Sequence, residues 1–179
     1  MLFMEKTVLA VVDVQEQPIA VIPQVVPLVA SIQRVITGVR ALEIPVVWTE
    51  QTSAVLGATI PDVAGLLAGL QPCAKSTFSA CGCPNFMKLL RRTNRRQVLL
   101  CGIETHVAVY QSAQDLVDRG FDVYVVSDAI AARLPENHEI GLELMRDGGV
   151  KITSTEMALF ELLRVAEGPA FKAILRVVK

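Results

Sequence analysis

Histidine is scarce in this chain, and no metal-binding pattern is present. Two histidines, His106 and His138, stand beside Cys73, Cys81, Cys83 and Cys101. A zinc site wants four ligands, usually in spaced pairs. No second pair accompanies Cys81 and Cys83, so neither a metal nor another cofactor is expected. Those two thiols flank a single glycine, too close for an unstrained disulfide. All four read as small buried thiols of a reducing compartment. Net charge is nearly missing too: at −1 it supplies no field for nucleic acid or an anionic membrane. The one basic cluster, "RRTNRR" at 91–96, lacks the interleaved aromatics of a single-strand platform. It reads instead as cations complementing a helix C-terminus. No apolar run approaches the ~18 residues of a membrane span. The opening "MLFMEKTVLAVVDVQ" enters a strand pattern rather than a cleavable signal. No repeat, low-complexity run or linker interrupts the chain. A cytoplasmic protein with a small-molecule partner is expected, with no nucleic acid and no membrane.

What is there is apolar. Of 179 residues, 52% are apolar and 20% charged, enough for one compact domain over 1–179. That excess suits a sheet buried on both faces, or a surface covered by a partner subunit. Short β-branched runs predict strands over 7–14, 45–50, 97–102 and 122–128, with a fifth over 149–154. Helical spacing falls between them, over 25–42, 84–93, 105–119 and 136–148, and Gly120 closes one helix. Two further helices, broken at Gly168-Pro169, end the chain; the last has few strands near it and is expected to dock across a subunit. The alternation predicts an α/β fold: a three-layer α/β/α sandwich around a mostly parallel sheet of five to six strands, with right-handed crossovers. The longest irregular stretch, 51–79, has the length of a functional loop.

In open parallel sheets, ligands sit beyond the carboxyl ends of the strands. Asp13 closes the first predicted strand and Glu50 and Gln51 the second. "GIETHVAVYQSA", 102–113, is a strand-to-helix junction whose N–H groups point into the same crevice. Lys75 arrives from the long loop. An acid, a cation and a helix N-terminus make a layout for acyl transfer. At the place of the nucleophile stands Ala108, a methyl group.

Five motifs, in order, give the chain a family resemblance: "VVDVQE" at 11–16, "PVVWTEQ" at 45–51, "KSTFSA" at 75–80, "GIETHVAV" at 102–109 and "SDAIAAR" at 127–133. With its C-terminal "EMALFELLRVAEGPAFKAILRVVK", the chain resembles the isochorismatase-like cysteine hydrolases, in their isochorismatase domain-containing branch. The resemblance implies a triad of Asp, Lys and Cys, carried here as Asp13, Lys75 and position 108. A thiolate at a helix N-terminus beside a cation is activated on both counts. It further implies an oxyanion hole from N–H groups near 104 and 108, a cis peptide between Ile103 and Glu104, and assembly as a dimer or larger homo-oligomer. Nicotinamidase-type members carry Asp-x-His after the second strand; "TEQTS" stands here, implying no zinc.

Ala108 departs from that pattern. Without sulfur there is no covalent acyl-enzyme at this position, and amidase activity by the usual route is not expected. Three explanations stay open. Asp13 could protonate a vinyl ether, as in true isochorismatases, which also lack the cysteine. The chain could be a silent homologue that keeps the pocket for binding or interaction. Or the alanine could be a deliberate replacement that traps substrate. The ligand pocket is expected to include Glu104 and Thr105 of the turn. Gln15 either lines it or orients Asp13; Phe78 is either its apolar wall or core. Trp48 reads as core and His106 as a packed residue beside the site.

Overall fold

The computed structural model describes all 179 residues. Six strands form one sheet: β1 (Thr7–Val12), β2 (Val46–Gln51), β3 (Cys73–Lys75), β4 (Gln97–Ile103), β5 (Asp122–Ala131) and β6 (Lys151–Thr153). Their order is β3-β2-β1-β4-β5-β6, and every neighbouring pair is parallel. The expectation of a mostly parallel sheet thus becomes an all-parallel one. β3 lies inside the stretch expected to be irregular. It is three residues long with Ala74 exposed, too short for a period to register, and it pairs only with β2.

β1 and β4 are buried at every position, as strands covered on both faces must be. Side chains alternate between two cores. Leu9, Val11, Leu99 and Cys101 face one layer, whereas Val8, Ala10, Val98 and Leu100 face the other. The first layer is α2 (Val25–Ala41), α8 (Thr155–Leu163) and α9 (Gly168–Val178). The second is α5 (Pro84–Arg92), α6 (Tyr110–Asp118) and α7 (Pro135–Asp147). α9, expected to dock across a subunit, is anchored within its own chain. Its Ile174 is fully buried, and the helix packs on α2 and α8 of its own chain, using the apolar face its composition provides. Three single-turn helices, α1 (Glu16–Ile19), α3 (Ser53–Leu56) and α4 (Pro61–Ala64), lie in the connections.

The chain builds the sheet outward from β1 to β3, then crosses back and builds the other way from β4. That reversal opens a crevice between the carboxyl ends of β1 and β4. There Gly102 pairs with Val12 at φ +130, and an added Cβ would lie 2.0 Å from the Val12 carbonyl oxygen. Only glycine lets the two strands approach so closely.

Candidate active site

Asp13 stands one residue beyond β1 in a left-handed conformation, φ 51, which turns the chain out of the sheet. The residue is 4% exposed, and its carboxylate points at two donors. Thr49 Oγ1 of β2 donates to Oδ1 at 2.7 Å, and Lys75 Nζ, at the end of β3, donates to Oδ2 at 2.5 Å. Lys75 gives its remaining protons to the carbonyls of Thr77 and Phe78, both at 2.9 Å. All three ammonium donors are therefore used, and the lysine pins the loop after β3 to the aspartate. Burial pushes the Asp13 carboxyl above the ordinary aspartate range, against the pull of Lys75 and then Thr49.

The second half of the site follows β4. The Ile103–Glu104 peptide is cis. The Glu104 carbonyl then accepts from Val107 N at 3.1 Å and from Val109 N at 3.2 Å. The five-residue span of the second bond makes Thr105–Val109 a single π turn, on which α6 continues. Sequence periodicity predicts one unbroken helix over 105–119; the wider first turn is set by the chain's exit from β4. Ala108 sits on this turn, 4% exposed.

Asp13 and Ala108 face a cavity of about 370 Å³. Its floor is Asp13, Ile103 and Ala108, all buried; its rim is Val21, Phe78 and Arg133, all exposed. Phe78 is a wall and not core, being 53% exposed. Glu104 lines the cavity, and its Oε2 accepts from Arg133 N at 2.9 Å. Gln51 lines it as well.

Other expected members lie elsewhere. Gln15 is fully buried; its amide donates to Gln51 O at 3.1 Å and Gly57 O at 2.7 Å, and accepts from Gln51 N at 2.7 Å. It clamps the end of β2 to the loop beyond and neither lines the cavity nor bonds to the Asp13 carboxylate. Thr105 is fully buried and meets His138 Nδ1 at 2.9 Å, facing α7. Glu50 accepts from Thr59 N and Ser53 Oγ and serves the loop. Cys81 and Cys83 are buried in the α5–α6 core, as small thiols. Burial pushes Cys81 and Cys73 up to about 11 and Cys101 up to about 12, so these thiols are not thiolates at neutral pH. Trp48 is core, as expected, and His106 carries a buried Nδ1 without a partner. No three histidine, cysteine or acidic side chains gather as a metal would need.

Two contributors were not singled out from the sequence. Thr49 and Arg133 lie inside quoted motifs, "PVVWTEQ" and "SDAIAAR", and that position was the only signal. Arg133 comes to the rim because β5 slips against β4. Leu100 pairs with Val125 but Gly102 with Ile130, so the strand runs on to Ala131 and past the predicted end at 128.

Comparisons with known proteins agree with this architecture. The Isochorismatase domain family model matches residues 7–157. Mouse isochorismatase domain-containing protein 2A is 35% identical over 179 residues, covering 98% of this chain and 84% of that one. Among solved structures, the MAR1 ribonuclease from Caenorhabditis elegans superposes with a TM-score of 0.92 at 31% identity, covering 99% and 91% of the two chains. The YcaC gene product of Escherichia coli, described as an octameric hydrolase of unknown specificity, shares the fold: TM-score 0.93 at 18% identity, covering 98% and 88%. With most of its length matched by the family model, and with these motifs in this order, the chain belongs to the isochorismatase family.

Proposed function

We propose that this protein is a small-molecule hydrolase whose chemistry runs through Asp13 as a proton donor and acceptor, with no covalent intermediate. One observation carries the reading. A buried carboxyl, raised toward protonation, lies on a cavity floor where the neighbouring slot holds only the Ala108 methyl. Each carboxyl oxygen has two lone-pair directions, so one that accepts from Lys75 or Thr49 keeps another free for a ligand. Asp13 would protonate the terminal carbon of a vinyl ether, leaving an oxocarbenium ion. Lys75 and Thr49 hold the carboxylate so formed. Water then adds to the cation and returns its proton to Asp13, and the hemiketal collapses to a ketone and an alcohol.

The intact Asp13–Lys75 pair also favours a second reading: a cysteine-hydrolase site that lacks its thiol and now only binds. Hydrolysis of isochorismate and of a small-amide panel by the unaltered chain, Asp13→Asn and Ala108→Cys separates them. The proton-donor reading expects vinyl-ether turnover that falls at least about 100-fold in Asp13→Asn. Turnover should also decline as pH rises through the raised Asp13 value, because the protonated acid is the active form. Amide turnover by Ala108→Cys alone supports the second reading, and silence from all three overturns the hydrolase.

The same proposal takes residues 1–179 as one isochorismatase-like domain and the protein as a homo-oligomer. The exposed apolar side chains of Val21, Val26 and Leu134 and the octamer of the E. coli protein support the latter. A cavity of about 370 Å³ suits a small molecule, and the net charge of −1 gives no field for a polyanion.

A further inference from the structure

We infer that Arg133 is the residue that sorts ligands at this pocket: it takes a carboxylate at the rim, so that the ligand's apolar, reacting end points inward to Asp13 and Ala108. This rests on the reading of the cavity as the substrate site.

Four charged side chains belong to the site, and they are not equivalent. At the floor, Asp13 and Lys75 compensate each other, and every ammonium donor has an acceptor. A ligand can gain little from Lys75 without displacing a bond already made. At the rim the balance differs. Arg133 has 58% of its side chain exposed, while its Glu104 partner is only 14% exposed. Glu104 accepts from the arginine's main-chain nitrogen at 2.9 Å and lies 3.6 Å from its Nε. The acid thus holds the near side of the guanidinium, and the two terminal nitrogens make no hydrogen bond within the chain. They form a planar pair of donors, the shape that binds a carboxylate through two parallel bonds.

The rest of the cavity says which anion. Apart from the amides of Gln17 and Gln51, the lining away from these charges is apolar: Phe78, Leu56, Val107 and Ile103 offer contact but no hydrogen bonds from their side chains. A ligand with an apolar body and one anionic end satisfies both parts. A phosphate monoester would bring about two charges to a single free arginine flanked by Glu104, and would leave one of them uncompensated. Reversal of the ligand would place its carboxylate beside the buried Asp13 carboxyl, where Lys75 has no free donor to meet it. The arrangement therefore sets orientation as well as ligand class.

Titration calorimetry with benzoate, benzamide and phenyl phosphate tests this on the full chain. The unaltered protein should bind benzoate more tightly than the other two. Arg133→Met should weaken benzoate at least tenfold and leave benzamide unchanged. Arg133→Lys should restore part of the loss, since an ammonium supplies charge without the fork. Ala108→Leu, which fills the floor, should weaken benzoate and benzamide alike. Benzoate affinity that is undetectable, or unchanged in Arg133→Met, overturns the anchor. Tighter phenyl phosphate overturns the ligand class, and benzoate binding indifferent to Ala108→Leu overturns the inward orientation. A silent turnover screen would leave all these affinities as they are, so failure of the hydrolase and failure of the anchor give different results.

Discussion

Gln15 occupies a position that local sequence cannot interpret. It follows Asp13 by two residues, and from there it could face a ligand or the protein. The fold uses its whole amide on backbone groups 36 and 42 residues away. Gln15→Ala would leave those groups buried and unpaired, at a cost of about 2–4 kcal/mol. Urea unfolding of the variant should show it as a lower midpoint with an unchanged slope. Asp13 was readable as a candidate because it closes a predicted strand, and Lys75 because it opens the motif "KSTFSA" in the long loop. What Lys75 does there was not readable. Its acceptors are a carboxylate 62 residues away and two carbonyls in its own loop, and only the folded loop presents all three.

At the scale of elements, the β1–β4 contact and the packing of α7 on the π turn carry the site. Gly102→Ala places a methyl against the Val12 carbonyl at a positive φ, and should cost more than about 3 kcal/mol. Because Asp13 and Glu104 follow these two strands, activity and stability should fall together, as read by turnover beside thermal unfolding. On α7, burial lowers His138 below the usual 6.5, with Glu139 opposing more weakly. The unfolded chain then takes up a proton first as pH falls. The stability contributed by neutral His138 is full above about 6.5 and is lost as pH falls below it. Stability measured from pH 8 to 5 should fall less steeply in His138→Gln than in the unaltered protein. The long strands were legible as continuous β-branched apolar runs, and the helices because an apolar face recurs over several turns. The three residues of β3 repeat nothing, and the π turn depends on how the chain leaves its neighbour.

For the whole molecule, the apolar excess divides between a sheet covered on both faces and a surface that still exposes large side chains. Val26 is 76% exposed, Val55 70% and Met157 65%. α9, the element expected to reach another subunit, packs on its own chain through Ile174. Sedimentation velocity should give a species heavier than the 19.4 kDa chain. A single boundary at that mass would mean that the apolar rim around the cavity is free to meet ligand alone. No helix is long and apolar enough to cross a membrane.

The amino-acid sequence by itself determined the alternation of buried strands and amphipathic helices, the family, the candidate acid and cation, and the missing sulfur at 108. These are properties of short segments, in which side-chain period and composition record burial directly. The tertiary structure alone decided that Thr49 and Lys75 share the Asp13 carboxylate, that Gln15 and Thr105 face away from the cavity, and that Glu104 holds Arg133 at its rim. Each of these is a hydrogen bond between groups 29 to 62 residues apart. It depends on where the crossovers set the strand ends, and no local pattern encodes that.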